Sequence, residues 1–66
     1  MITSNVREYM EKAGLTVRKG AAAMRLATDT INRARQDETI LGCSLETLQS
    51  IAKVCGCRVK DLFTEE

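Results

Sequence analysis

The 66-residue sequence contains no proline, tryptophan or histidine, and only one phenylalanine and one tyrosine. Without histidine, a nucleophilic cysteine has no obvious activating base, and three cysteines alone fall short of the four ligands of a structural zinc site. Cys43, Cys55 and Cys57 are therefore read as small hydrophobes, with no metal, no cofactor and no catalytic residue expected. An odd cysteine count without a recognisable signal segment argues against a secreted disulfide scaffold, so the thiols are expected to be reduced and the location cytoplasmic. No apolar run approaches the roughly 20 residues of a membrane span. There is also no glycine-rich phosphate loop, internal repeat or low-complexity tract. An enzyme and a membrane protein are both poor readings.

What is present favours helix. Alanine, leucine, arginine, lysine and glutamate are frequent, and β-branched residues are scattered. A chain this short makes one domain, residues 1–66, and buries only about 60% of the surface its unfolded form exposes. The net charge is only +1, but it is unevenly spread. From Thr16 to Arg35, five bases (Arg18, Lys19, Arg25, Arg33, Arg35) meet one acid (Asp29), a local +4 that leaves −3 for the rest. Such a local field can steer phosphate binding even on a nearly neutral protein.

Apolar spacing and capping residues predict five short helices. The first runs from about Thr3 to Ala13, with a stripe of Val6, Tyr9, Met10 and Ala13, and stops at Gly14. Thr16 caps the second, which runs to about Met24 and buries Val17, Gly20, Ala21 and Met24. A break near Arg25 lets Leu26 turn inward, which is preferred over one helix continuing to Arg35. The third helix, about Ala27 to Gln36, buries Ile31 and Ala34. A loop follows, in which Ile40 and Leu41 form a second apolar candidate surface for the core or another subunit. Ser44 caps the fourth helix, which carries Leu45, Leu48, Ile51, Ala52 and Cys55 and ends at Gly56. A fifth, from about Val59 to Phe63, precedes a frayed Thr64 to Glu66. The expected core is Val6, Met10, Leu15, Ala21, Met24, Leu26, Ile31, Leu48, Ile51, Ala52, Cys55, Leu62 and Phe63.

With these elements the chain resembles the phage-repressor-like (Cro/C1, or XRE) helix-turn-helix family from about Asn5 to Phe63. KAGLT, Lys12 to Thr16, matches the end of the family's first helix. SLETLQSIAKVCGCRVKDLF, Ser44 to Phe63, is the most specific match. Ala21, Leu26 and Ile31 fall on the small residue of helix 2, the apolar residue after the turn and the buried recognition-helix position. Five residues depart from the pattern. Gly20 replaces a packing Leu, Arg25 the turn Gly, Cys55 a Leu, Ala27 a capping Ser or Thr, and Val17 a phosphate-holding Gln. A lost core Leu typically costs about 2–5 kcal/mol, so Gly20 demands that another group fill its space.

The resemblance implies an all-α, lambda-repressor-like bundle whose third helix enters the major groove of double-stranded DNA. Thr28, Asn32 and Arg33 are then candidate base readers: a hydroxyl and methyl, an adenine pair, and a guanine or phosphate contact. Asp29 could accept from a cytosine amino group or serve as a first-turn acid. Arg18, Lys19, Arg35 and Thr16 are candidates for contacts to the DNA backbone. The expected function is a sequence-specific transcriptional regulator, a repressor, acting as a homodimer. The alternative is a protein-interaction or assembly module that uses Gly20, the alanine run and Ile40–Leu41 on the same scaffold.

Overall fold

The computed structural model describes residues 1–66 and begins not with a helix but with a strand, β1 (Ile2–Ser4). The order continues with α1 (Val6–Lys12), α2 (Val17–Met24), α3 (Thr28–Ala34), a 3-10 turn at Ile40–Gly42, and α4 (Leu45–Cys55). A second 3-10 turn, Val59–Asp61, leads into β2 (Phe63–Glu65), which pairs antiparallel with β1. The architecture is four α-helices closed by a two-stranded sheet.

The caps follow from the side chains. The Thr16 hydroxyl oxygen accepts from Lys19 N–H at 3.2 Å, and that of Ser44 from Thr47 N–H at 3.1 Å. Each relieves a helix donor that has no partner within the helix. Three helices end alike, with a residue in the left-handed region followed by a bond reaching back five residues. These are Leu15 N–H to Met10 O, Leu26 N–H to Ala21 O and Cys57 N–H to Ala52 O. Gly14 and Gly56 supply the left-handed residue in two of them, and Arg25 (φ 56°, ψ 42°) in the third. Arg25 is thus where the expected break occurs, and α2 and α3 are separate helices.

Two expectations are corrected. The bundle is not all-α with five helices, and Thr64 and Glu65 do not fray. The expected fifth helix is a single 3-10 turn, beyond which Ser4 pairs with Phe63, Thr3 with Thr64 and Ile2 with Glu65. The first helix does not start at Thr3, because the Thr3–Ser4–Asn5 cluster is tied elsewhere. The Ser4 hydroxyl donates to Ala34 O, and Asn5 Nδ2 donates to Asp61 O and to Thr64 Oγ1. α3 is also shorter than expected, beginning at Thr28 with Ala27 as an N-cap that offers no side-chain bond.

The core is Val6, Met10, Met24, Ile31, Ala34, Ile40, Leu48, Ile51, Ala52 and Leu62. Of the residues expected there, Leu15, Ala21, Leu26, Cys55 and Phe63 are only half-buried, packed against its margin. Ile40, left open between core and subunit contact, is in the core, while Leu41 stays exposed. Gly20 is buried, and the side chain of Met10 occupies the space above it.

Candidate nucleic-acid interface

Burying Ile31 and Ala34 fixes which way α3 faces. Both are inaccessible to solvent, and Thr30 beside them is half-buried. With about 100° between successive residues, Asp29 falls nearest the outward pole, with Asn32 and Arg33 on either side of it and Thr28 beyond Asn32. All four are exposed. None of their side chains makes a hydrogen bond or ion pair within the protein, whose one ion pair is Arg58–Asp61. Their polar groups are therefore free to meet a ligand at no cost of broken internal bonds.

α2 adds a second set. Thr16, Arg18 and Lys19 cluster at its start and are exposed. Thr16 Oγ1 is occupied as an acceptor by Lys19 N–H, but its hydroxyl hydrogen remains available to an anion. The turn at Arg25 and Leu26 sets α2 and α3 against each other, with Met24 from one and Ile31 from the other in a common core.

Arg35 is placed apart from these residues. α3 ends at Ala34, and Arg35 is its half-buried C-cap. It lines a polar hollow with Ser4, Arg7, Glu8, Asp37 and Glu38, where three acids outnumber two bases. The structure thus brings together Thr28, Asp29, Asn32 and Arg33 on α3, and Thr16, Arg18 and Lys19 on α2. Arg35 lies at the opposite end of α3.

Two positioning residues escaped the sequence reading. The Thr39 hydroxyl donates to Arg33 O at 2.6 Å, and the Ser4 hydroxyl donates to Ala34 O. Both satisfy carbonyls of the last turn of α3, which have no partner within the helix. Thr39 is six residues from its acceptor and Ser4 thirty, so no local spacing signals either bond.

The three cysteines are free and half-buried, and they form no metal-holding cluster with each other or with acids. Burial pushes all three thiols above their ordinary range. Arg33 partly offsets the rise at Cys43, whereas Cys57 adds to it at Cys55 and Asp61 adds to it at Cys57. Protonated thiols are poor nucleophiles and poor metal ligands.

Comparison with protein families matches residues 5–66 to the Cro/C1-type HTH DNA-binding domain. The matched span takes in all four helices and β2. A comparison with curated proteins finds no match.

Proposed function

The chain belongs to the Cro/C1-type helix-turn-helix DNA-binding domains, and from that membership we propose a sequence-specific transcriptional regulator that reads double-stranded DNA through α3. The observation that carries the reading is the outward face of α3, where Thr28, Asp29, Asn32 and Arg33 are exposed and unpartnered. Asn32 pairs with adenine, Arg33 with guanine or a phosphate, and Thr28 with a base edge or thymine methyl. Asp29 accepts from a cytosine amino group. Arg18, Lys19 and Thr16 hold the phosphates that fix register. Arg35, at the far end of α3, is a phosphate contact at most.

Two copies bound as a homodimer would read half-sites about one helical turn, or 34 Å, apart. The output is repression, since a domain seated on an operator excludes other proteins from it. The site of action is the cytoplasm, where such DNA is found. No helix is long and apolar enough to cross a membrane.

Selection of bound sequences from random duplex DNA, followed by titration of the winners at several salt concentrations, tests this reading. Enrichment of one motif with steeply salt-dependent affinity supports it. A folded protein that enriches nothing contradicts it.

A second reading, an assembly module, is favoured by one observation. Leu41 and Leu45 are each 72% exposed, unusual for large apolar side chains on a small domain. Size-exclusion chromatography with light scattering separates the two readings. An oligomer that occludes α3 favours the module, and one that leaves α3 free to bind DNA favours the regulator.

A further inference from the structure

Asp29 is an acid placed where the face of α3 is most open. The segment from Thr16 to Arg35 carries five bases and no other acid. Asp29 lies nearest the outward pole of α3 and is exposed. A base one turn along a helix ordinarily neutralises such an acid. Arg33 stands at that position, yet the two form no ion pair, and the protein's one ion pair is Arg58–Asp61. The only internal role left to Asp29 is that of a first-turn acid near the positive end of α3. It therefore presents an unneutralised carboxylate to whatever α3 meets.

A carboxylate in the major groove is costly. The groove is about 12 Å wide and the screening length at physiological salt is about 8 Å, so a carboxylate midway feels the phosphates of both walls. A hydrogen-bond donor on a base edge offsets that repulsion. The groove offers two kinds, the amino groups at cytosine N4 and adenine N6. Beside the adenine amino group lies N7, an acceptor that repels the carboxylate, whereas cytosine presents its amino group alone. Guanine O6 and thymine O4 are acceptors as well.

We propose that Asp29 determines specificity by exclusion: it admits cytosine at the base position it faces, bars the other three bases, and blocks binding when that cytosine carries a methyl group on N4. That role rests on α3 being the DNA-reading helix of the proposed function. Specificity is a difference between affinities, and the acid weakens binding to wrong sequences more than it strengthens binding to the right one. Methylation at N4 strikes the same contact. The remaining N–H pairs with guanine, and the methyl group replaces the proton in the groove. Asn32 and Arg33 supply the attraction that seats α3. Without them the carboxylate keeps the helix out of the groove, and only the phosphate contacts of α2 remain.

Fluorescence anisotropy on a duplex selected by the unaltered chain tests this, with Asp29→Ala and Asp29→Asn as variants at an exposed position. Each cytosine of the site is replaced in turn by the other bases and by N4-methylcytosine. At one cytosine the unaltered chain should lose affinity by about tenfold or more on every replacement. Asp29→Ala should lose that discrimination and bind a scrambled duplex more tightly than the unaltered chain does, the opposite sign from Arg33→Ala. Asp29→Asn, whose amide donates as well as accepts, should tolerate guanine or thymine at the same position. An acid that served only the helix dipole would change the melting temperature and leave these ratios unmoved. A selection that enriches no motif overturns the DNA reading and the exclusion with it. A motif without an N4-methyl-sensitive cytosine, or an Asp29→Ala protein that keeps full discrimination there, overturns the exclusion alone.

Discussion

The terminal methyl of Met10 fills the space where a side chain at Gly20 would begin. A Cβ on Gly20 would lie 2.6 Å from Met10 Cε, and 3.7 and 3.8 Å from Met24 Cε and Ile31 Cδ1. The volume that the family pattern assigns to a leucine on helix 2 is supplied here from α1. The helix-turn-helix pair is therefore supported from the neighbouring helix, and Gly20 leaves no void.

This exchange of volume makes the two positions interdependent. Met10→Ala should cost about 2–5 kcal/mol by opening a cavity. Gly20→Leu should cost about 1–3 kcal/mol by overpacking. The double substitution should be more stable than the sum of the two predicts, with a coupling of about 0.5–3 kcal/mol. Urea denaturation of the four proteins in the cycle measures it, and strict additivity would show that the contact is incidental.

Arg25 holds a left-handed conformation that costs an L-residue with a side chain roughly 1–2 kcal/mol. Glycine removes that strain but gains freedom in the unfolded chain, which returns about 0.4–1 kcal/mol. Arg25→Gly should therefore stabilise the domain by a modest margin of about 1 kcal/mol or less. Thermal unfolding checks the sign, and a lower melting temperature would mean that the Arg25 side chain itself contributes more than its backbone costs.

The thiols give a pH dependence whose sign is fixed. Burial raises Cys43, Cys55 and Cys57 above their unfolded values, so on alkaline titration the unfolded chain loses its thiol protons first. The stabilisation is complete below the unfolded thiol pKa, about 8.5, and is lost as pH rises through the folded values. Denaturation at pH 7 should show a more stable protein than at pH 9.5. Replacing the three cysteines by alanine should flatten that difference, and an unchanged pH profile would assign it to other groups.

Much of the helical frame was legible in the sequence because helices carry a repeating signal. Thr16, Ser44, Gly14 and Gly56 stand where the caps and stops were expected, and Ile31, Leu48 and Ile51 face inward at helical spacing. The sheet was not legible, since three-residue strands are too short to show alternation. Thr3, Ser4 and Asn5 looked like a helix cap, but their partners Ala34, Asp61 and Thr64 are distant in sequence. The role of Met10 over Gly20 was hidden for the same reason. In the candidate interface, Thr28, Asp29, Asn32 and Arg33 emerged together because one buried stripe orients them all. Arg35 looked continuous with Arg33, but the helix ends between them at Ala34, and Arg35 is carried into the polar hollow beside Arg7 and Glu8.

The α3 and α2 residues should differ in how they fail. Arg33→Ala or Asn32→Ala should cost about 1–3 kcal/mol on the preferred site and relax its sequence preference. Arg18→Ala or Lys19→Ala should weaken all sequences about equally and lower the salt slope by about 1. Fluorescence anisotropy on matched and single-base-changed duplexes distinguishes them. Equal losses on every duplex for Asn32→Ala would remove it from base reading.

The most direct measurement of the central claim is the affinity for a selected duplex against salt concentration, compared between the unaltered chain and Asn32→Ala with Arg33→Ala in one protein. If α3 reads DNA, the unaltered chain should bind its selected site more tightly than a scrambled one, with affinity falling steeply and linearly on logarithmic axes. The double variant, still folded, should bind both duplexes with the same residual affinity. A double variant that keeps the full preference for the selected site would contradict the assignment of α3 as the reading helix.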